Sequence, residues 1–302
     1  MTDKQFVFVG LGYCNVDRIF RLPEFPLDRK IEADECMVLS GGPAATATVA
    51  AARLGVATTF IGAVGDDENG RRIAADFDAE NVDTARLVIQ PGRTSPHACC
   101  WVENGTGRRS IAFSRGSVRP LTPGDADLSA VSSARILHLD GHHPELAIAA
   151  AKLARRRGAL VNLDADDALV EESAALMPFA DILIASEHFA RRWSGESDLE
   201  KAVMKMAGSG AKVVGATRGE AGSLFIVKGR IVRVPAFRVD AVDSTGAGDV
   251  FHSAFGIRYM ETGDTLESAR FASAVAAMKC TKLGGRPGIP TRPEVETFLN
   301  NH

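Results

Sequence analysis

The strongest constraint on the fold of this chain is an alternation. Short β-rich runs at 6–10 (FVFVG), 58–64, 136–139, 159–163, 182–185 and 212–216 alternate with helical patterns at 44–54, 67–80, 144–157, 197–209, 246–261 and 265–283. Strands that alternate with helices imply βαβ units and a parallel sheet covered on both faces. Near-continuous apolar strands such as FVFVG and ILIA fit that burial. In open α/β sheets of this kind, ligands bind beyond the carboxyl ends of the strands. Three segments break the pattern: 16–24, 31–39 and 97–113 read as extended chain, with GTG at 105–107 as a hairpin turn. They flank the first βα units, and no repeat or Pro/Ser-rich linker divides the chain. The expected architecture is therefore α/β, a single domain over 1–302 with a mostly parallel central sheet, helices on both faces and a small β lid.

Bulk properties exclude several partners. The 302 residues are 45% apolar and 24% charged, as in an ordinary soluble globular protein. A net charge of −3 argues against nucleic acid or an anionic membrane as partner. The basic run Arg155, Arg156 and Arg157 ends an expected helix, where cations suit the helix dipole. Five scattered cysteines show neither CxxC nor zinc spacing, so reduced thiols in the cytoplasm are expected. No apolar run approaches the roughly 18 residues of a membrane span, and the start MTDKQFVFVG lacks the apolar core of a signal peptide.

Two familiar nucleotide fingerprints are missing. No GxxxxGK[ST] occurs, and in GLGYCN at 10–15 the third glycine of a GxGxxG is replaced by Asn15. The segment DSTGAGDVFHSAF, 243–255, offers different phosphate chemistry. Small residues at a helix N-terminus let free backbone N–H groups approach an anion closely, and the dipole adds to the attraction. Asp249 in the first turn would repel a phosphate, but it suits a base that accepts the proton of an attacking hydroxyl. Phosphoryl transfer to an alcohol is the reaction this combination implies. The plainer alternative makes Asp243 and Ser244 helix caps and Asp249 a dipole complement; the glycines argue against it.

DSTGAGDVFHSAF resembles the C-terminal motif of the ribokinase-like, or PfkB-type, sugar kinases. GGPAATATVAAARLG (41–55) is similar to their N-terminal glycine motif, GAVGDDENG (62–70) follows where the family has GxDxxG, and TRGEAG (217–222) matches its nucleotide-side TxGxxG. Order and spacing agree over essentially the whole chain. The resemblance implies a mostly parallel sheet with a β lid that often forms homodimers, and ATP and Mg²⁺ as cofactors. It makes Asp249 the catalytic base, and Gly246, Ala247 and Gly248 the anion hole for the γ-phosphate. Thr217, Gly219 and Gly222 would lie by the ATP phosphates, while Asn15, Asp17, Gly41 and Gly42 would hold the sugar. Bottom-up, Asn15 and Asp17 follow the first strand, where a ligand belongs, although ordinary turn residues also occur there.

Departures from the family pattern sharpen the expectations. Ser186, Glu187, His188 and Phe189 stand where much of the family has NxxE, so Glu187 becomes the substitute on the magnesium and phosphate side. A monovalent-cation loop, for K⁺, would use Asp243 with Gly284 and Gly288 of KLGGRPG, Gly288 standing where some members have serine. HLDGHH at 138–143 tempts a metal reading, because a strand puts His138 and Asp140 on one face. Pro144 and the missing fourth ligand count against a metal; the resemblance implies instead that Asp140, with His142, lines the sugar pocket, as an acidic residue does in related sugar kinases. The C-terminal half is similar to sulfofructose kinases, fructokinases and ketohexokinase-type members. A sulfonate needs fixed positive charge, for which Arg115 and Lys30 are the candidates. Phe113 and His142 stand where further anion ligands are expected, so the acceptor expected is a neutral ketose such as fructose, with a sulfonated sugar or a nucleoside as the alternatives.

Overall fold

The computed structural model describes residues 6–104, 109–166 and 169–302, so the expected turn at 105–107 lies outside the described residues. Strand β1 (Phe8–Leu11) is followed by an excursion, β2 (Asn15–Leu22) and β3 (Glu35–Gly41). The chain returns through α1 (Pro43–Arg53), β4 (Thr58–Gly65) and α2 (Glu68–Ala79), with short strands β5 (Val82–Asp83) and β6 (Leu87–Gln90) beside β4. A second excursion makes β7 (His97–Glu103) and β8 (Arg109–Ser114). Then come β9 (Ile136–Leu139), α3 (Pro144–Arg157), β10 (Leu160–Ala165), α4 (Val170–Leu176), β11 (Ile182–Ser186), α5 (Glu187–Ser194), α6 (Leu199–Met206) and β12 (Val213–Thr217). The hairpin β13 (Ser223–Val227) and β14 (Arg230–Val234) precedes three helices, α7 (Ala247–Thr262), α8 (Thr265–Lys279) and α9 (Arg292–Asn300).

The main sheet runs β14-β13-β12-β11-β10-β9-β1-β4-β5 among the described residues. All its pairings from β12 to β5 are parallel, and only the β12–β13–β14 edge is antiparallel. Successive strand residues face opposite sides, so one strand feeds two cores. Val9, Leu137, Leu163 and Leu183 enter the core under α3 to α6. Phe8, Ile136, Ile182 and Ile184 enter the other, with residues of α1, α7 and α8. Alanines at 44, 45, 47, 50 and 51 leave α1 slim enough to lie close on the sheet.

Residue chemistry sets the helix starts. Pro43 and Pro144 occupy the first turns of α1 and α3, where a missing N–H costs nothing. Asp67 caps α2 and Asp264 caps α8 by accepting first-turn N–H bonds, and Thr291 with Glu294 forms a capping box on α9. The second sheet, β3-β2-β7-β8, is the expected lid. Its small core of Ile19, Ala98, Cys100 and Val102 closes on Leu283, in the loop after α8. The lid thus rests on the segment that also braces the start of α7.

Candidate active site

The helix α7 opens on Gly246, whose φ of 77° is left-handed and whose missing Cβ would come 2.9 Å from the Gly285 carbonyl oxygen. Only glycine meets both demands. The first helical bond runs from Val250 N–H to Gly246 C=O at 3.1 Å, so the Gly248 and Asp249 amides stand at the open end, where a helix supplies no internal acceptor. A Cβ on Gly248 would meet nothing within 4 Å. The space above it is a cradle that a side chain would fill.

Asp249 is half-buried and lines a cavity of about 70 Å³ with Pro43, Asp140, His142, Asp164, Asp166 and Leu169. Burial pushes its carboxyl up to about 7, Asp166 and Asp140 add to the rise, and Lys279 and Arg109 oppose it. Asp164 is likewise held well above the ordinary carboxylate range, first by burial and then by Asp249, Asp166 and Asp140. It faces His252 Nε2 at 3.1 Å, and burial pushes that imidazole down to about 3.

The residues expected on the acceptor side come together where the lid meets α1. Asn15 opens β2 opposite Gly41, and its Nδ2 donates to Asp17 Oδ1 at 2.5 Å. The buried Asn15 Oδ1 has no protein partner, which leaves an acceptor to satisfy. Burial raises Asp17 to about 6, against the Asn15 bond and the Arg286 charge. A Cβ on Gly41 would lie 2.1 Å from Asp17 Oδ2, and Gly42 has a left-handed φ of 97° as the N-cap of α1. Asp140 is committed to the frame: its carboxylate accepts the N–H groups of Tyr13 (2.8 Å), Ala44 (3.1 Å) and His142 (3.0 Å). Its carboxyl lies far below the usual range, with His142 and these bonds outweighing burial. It borders the cavity yet has little left to offer a hydroxyl.

The three histidines of HLDGHH take three directions. His138 is buried against Asn162 (3.2 Å), His142 contacts Asp140 and stacks on Tyr13 with centroids 4.5 Å apart, and His143 Nδ1 accepts the Leu121 N–H at 3.1 Å. A larger cavity of about 200 Å³ is lined by Tyr13, Arg115, Arg119, His142 and His143 among others, and shares His142 and Leu169 with the smaller one. Arg115 is therefore brought near the site, whereas Lys30 is exposed and borders neither cavity.

The nucleotide-side residues form their own group. Ser186 and Thr217 pair at the carboxyl ends of β11 and β12. Ser186 Oγ caps α5 by accepting the Phe189 N–H at 3.1 Å, and Glu187 pairs with Arg191 at 3.5 Å. Gly219 and Gly222 belong to the tight turn that follows, closed by Arg218 N–H to Gly222 C=O at 2.8 Å. None of these five lines the cavity at Asp249. Asp243 is buried and bonds the N–H groups of Thr245 and Gly284, each at 2.8 Å.

Four site residues escape a reading of the sequence. Asp164 and Asp166 follow the expected strand 159–163, and the carboxyl-end rule is the signal that points to them. Arg109, on lid strand β8, donates to Ser244 Oγ at 2.5 Å and gives no local signal at all. Lys279 lies inside the expected helix 265–283 and carries no signal of its own in the sequence; it is fully buried.

Known proteins carry the same chain path. The structure is similar to the ribokinase of Thermotoga maritima, with a TM-score of 0.84 at 28% identity over 98% of this chain and 100% of that one. It is similar to Arabidopsis thaliana ribokinase complexed with ribose and ATP, with a TM-score of 0.82 at 27% identity over 97% and 98%. In sequence it is 30% identical to fructokinase-1 of Oryza sativa, over the whole of both chains, and 28% identical to a nucleoside kinase of Methanothermobacter thermautotrophicus over 95% and 93%. Residues 7–292 match the pfkB family carbohydrate kinase description. With its ribokinase-like fold, the chain belongs to the pfkB family of carbohydrate kinases, phosphotransferases that act on a sugar hydroxyl.

Proposed function

We propose that the protein transfers the γ-phosphate of ATP to a primary hydroxyl of a small neutral sugar, a ketose such as fructose or a related hexose or pentose. The observation that carries the reading is the half-buried Asp249 carboxylate, raised to about 7 and set in the first turn of a helix whose N-terminus is open. Asp249 accepts the proton of the sugar hydroxyl, and the Gly246–Ala247–Gly248 end of α7 takes up the charge that grows on the phosphoryl oxygens. Asn15, Asp17, Gly41 and Gly42 hold the acceptor. Thr217, Gly219, Gly222, Ser186 and Glu187 lie along the nucleotide. Among the described residues no three His, Cys, Asp or Glu side chains converge on a metal position. Mg²⁺ enters this proposal with ATP, since it is held by one or two carboxylates together with substrate phosphates. When bound it neutralises phosphate charge.

Substitution of Asp249 tests the reading. Asp249→Asn should lower kcat by about 10³-fold, the scale of a lost general base, while ATP and sugar still raise the melting temperature. Near-normal turnover overturns the assignment.

Two observations keep other acceptors in view. Arg115 and Arg119 border the larger cavity and would suit a sulfonated sugar, but the Asp140 carboxylate, held ionised at the edge of the smaller one, opposes an anion. The stacked Tyr13 and His142 offer a face on which a nucleoside base could continue the stack. Parallel assays with fructose, ribose, a sulfonated hexose and adenosine separate these acceptors. A homodimer through the lid belongs to the same proposal, supported by Ile111 (47% exposed) and Phe113 (63% exposed) on the edge strand β8. The five free cysteines suit a reducing compartment such as the cytoplasm, and no helix among the described residues is long and apolar enough to cross a membrane.

A further inference from the structure

The family resemblance implies a potassium site at Asp243, Gly284 and Gly288, and the residues present do not fit one. Lys279, the last residue of α8, has 0% exposure, and its Nζ donates to the Asp243 carbonyl oxygen at 2.8 Å. The Asp243 carboxylate is already engaged, Oδ1 by the Thr245 N–H and Oδ2 by the Gly284 N–H. Gly288 has no room for a serine, because a Cβ there would come 2.2 Å from the Lys279 carbonyl oxygen. Val242 N–H and Asp243 N–H both bond the Cys280 carbonyl, at 2.8 and 3.1 Å, which ties the segment before α7 to the end of α8. Of the groups that would cage an ion, the Asp243 carbonyl is therefore held by a side-chain ammonium, and the Asp243 carboxylate and the Cys280 carbonyl by backbone N–H groups.

We infer that the Lys279 ammonium takes the place of a monovalent cation in this enzyme, fixing the Asp243 turn under the anion hole and making phosphoryl transfer independent of K⁺. An ammonium donates to oxygen up to three times and carries the charge that a caged K⁺ would bring to carbonyl oxygens. A second cation beside it would meet like charge in a buried site. Burial lowers the Lys279 pKa, and the Asp243 and Asp249 charges act against that fall. Lys279 is a positioning residue: it touches the Asp243 carbonyl, two residues from Thr245 and three from Gly246, and not the reacting atoms.

The inference rests on the kinase reading, so its test has two arms. The full chain is assayed with ATP, Mg²⁺ and the preferred sugar in tetramethylammonium chloride, with KCl replacing it stepwise at constant ionic strength. ADP is measured directly by chromatography, so that no coupling enzyme's own cation need enters. The expected kcat is flat within about twofold. In the second arm, melting of the protein alone is compared in the two salts, with no K⁺-specific shift expected. Lys279→Met should lose about 10²-fold in kcat, the scale of one removed electrostatic contact, and recover part of it, together with melting temperature, in K⁺ or NH₄⁺ but not in tetramethylammonium. A wild-type rate that climbs more than about fivefold with K⁺, or a K⁺-specific rise in wild-type melting temperature, overturns the inference. So does a folded Lys279→Met variant with full turnover and no cation response. Should no acceptor be phosphorylated, the kinase reading fails while the melting arm still decides the cation question; should the variant not fold, the wild-type titration decides it.

Discussion

Asp249 carries its charge against its surroundings. Its folded-state pKa of about 7 lies above that of a free aspartate, so the native state favours the protonated form. The associated stability is fully present below about pH 4 and is lost as pH rises through 7. The role proposed for Asp249 needs the opposite state, because only the carboxylate accepts a proton. Two outcomes follow at this scale. The kcat/KM profile should rise with pH on a limb with an apparent pKa near 7, and a flat profile from pH 5 to 8 would contradict the base assignment. Asp249→Asn, neutral at every pH, should be more stable than the wild type by roughly 1–3 kcal/mol at pH 8 and nearly equal at pH 4. Urea unfolding at the two pH values measures the difference. Equal stability at both would show that the carboxyl titrates normally.

The N-terminus of α7 separates two kinds of glycine. Gly246 is required by its backbone, since its φ is 77° and Gly285 lies against it, so Gly246→Ala should cost about 1–3 kcal/mol in stability as well as activity. Gly248 is already helical with open space before it, so Gly248→Ala should match or exceed wild-type stability by about 0.5–1 kcal/mol. Its kcat should nevertheless fall, because the new methyl enters the cradle. Melting curves with initial rates decide this pair, and a fully active Gly248→Ala would empty the cradle of its role. Much of the element pattern was legible in the sequence. Helix 144–157 is found with both ends as expected, because Pro144 starts it and Gly158, with φ 79°, ends it. The helix expected from 246 begins at Ala247, since left-handed Gly246 is its cap. The one expected over 265–283 stops at Lys279, where the Asp243 turn binds the Cys280 carbonyl. Among its described residues the lid segment 97–113 holds two strands, in keeping with the expected extended chain, whereas the eight-residue α5 was too short to show a period. Ser186 caps α5 and Glu187 pairs with Arg191, contacts that stand beside the nucleotide-side role proposed for them. Contacts made at long range, such as Arg109 with Ser244 across 135 residues, leave no trace in any local stretch.

The lid couples distant parts of the molecule. Leu283 supports its inner face, and Arg109 on its edge strand reaches the segment before α7. Arg109→Ala should therefore leave the fold intact and lower kcat more than it raises KM for ATP, while equal effects on both would point to a binding role alone. If β8 also carries the dimer contact, Phe113→Glu should turn a sedimenting dimer into a monomer; a wild type monomeric at micromolar concentration would exclude that contact. The topology carries a consequence for biosynthesis. β1 is the first strand of the main sheet to be made, yet it lies in mid-sheet, between β4 and β9. Its pairing with Ile136–Leu139 must await well over a hundred further residues, and β2 must wait for His97–Glu103 to become the parallel neighbour in the lid. On the ribosome the nascent chain therefore exposes an apolar strand with one unpaired edge for much of its translation. The protein should depend on chaperone protection during that interval, and cutting the chain near residue 130 should yield fragments that fold only when mixed.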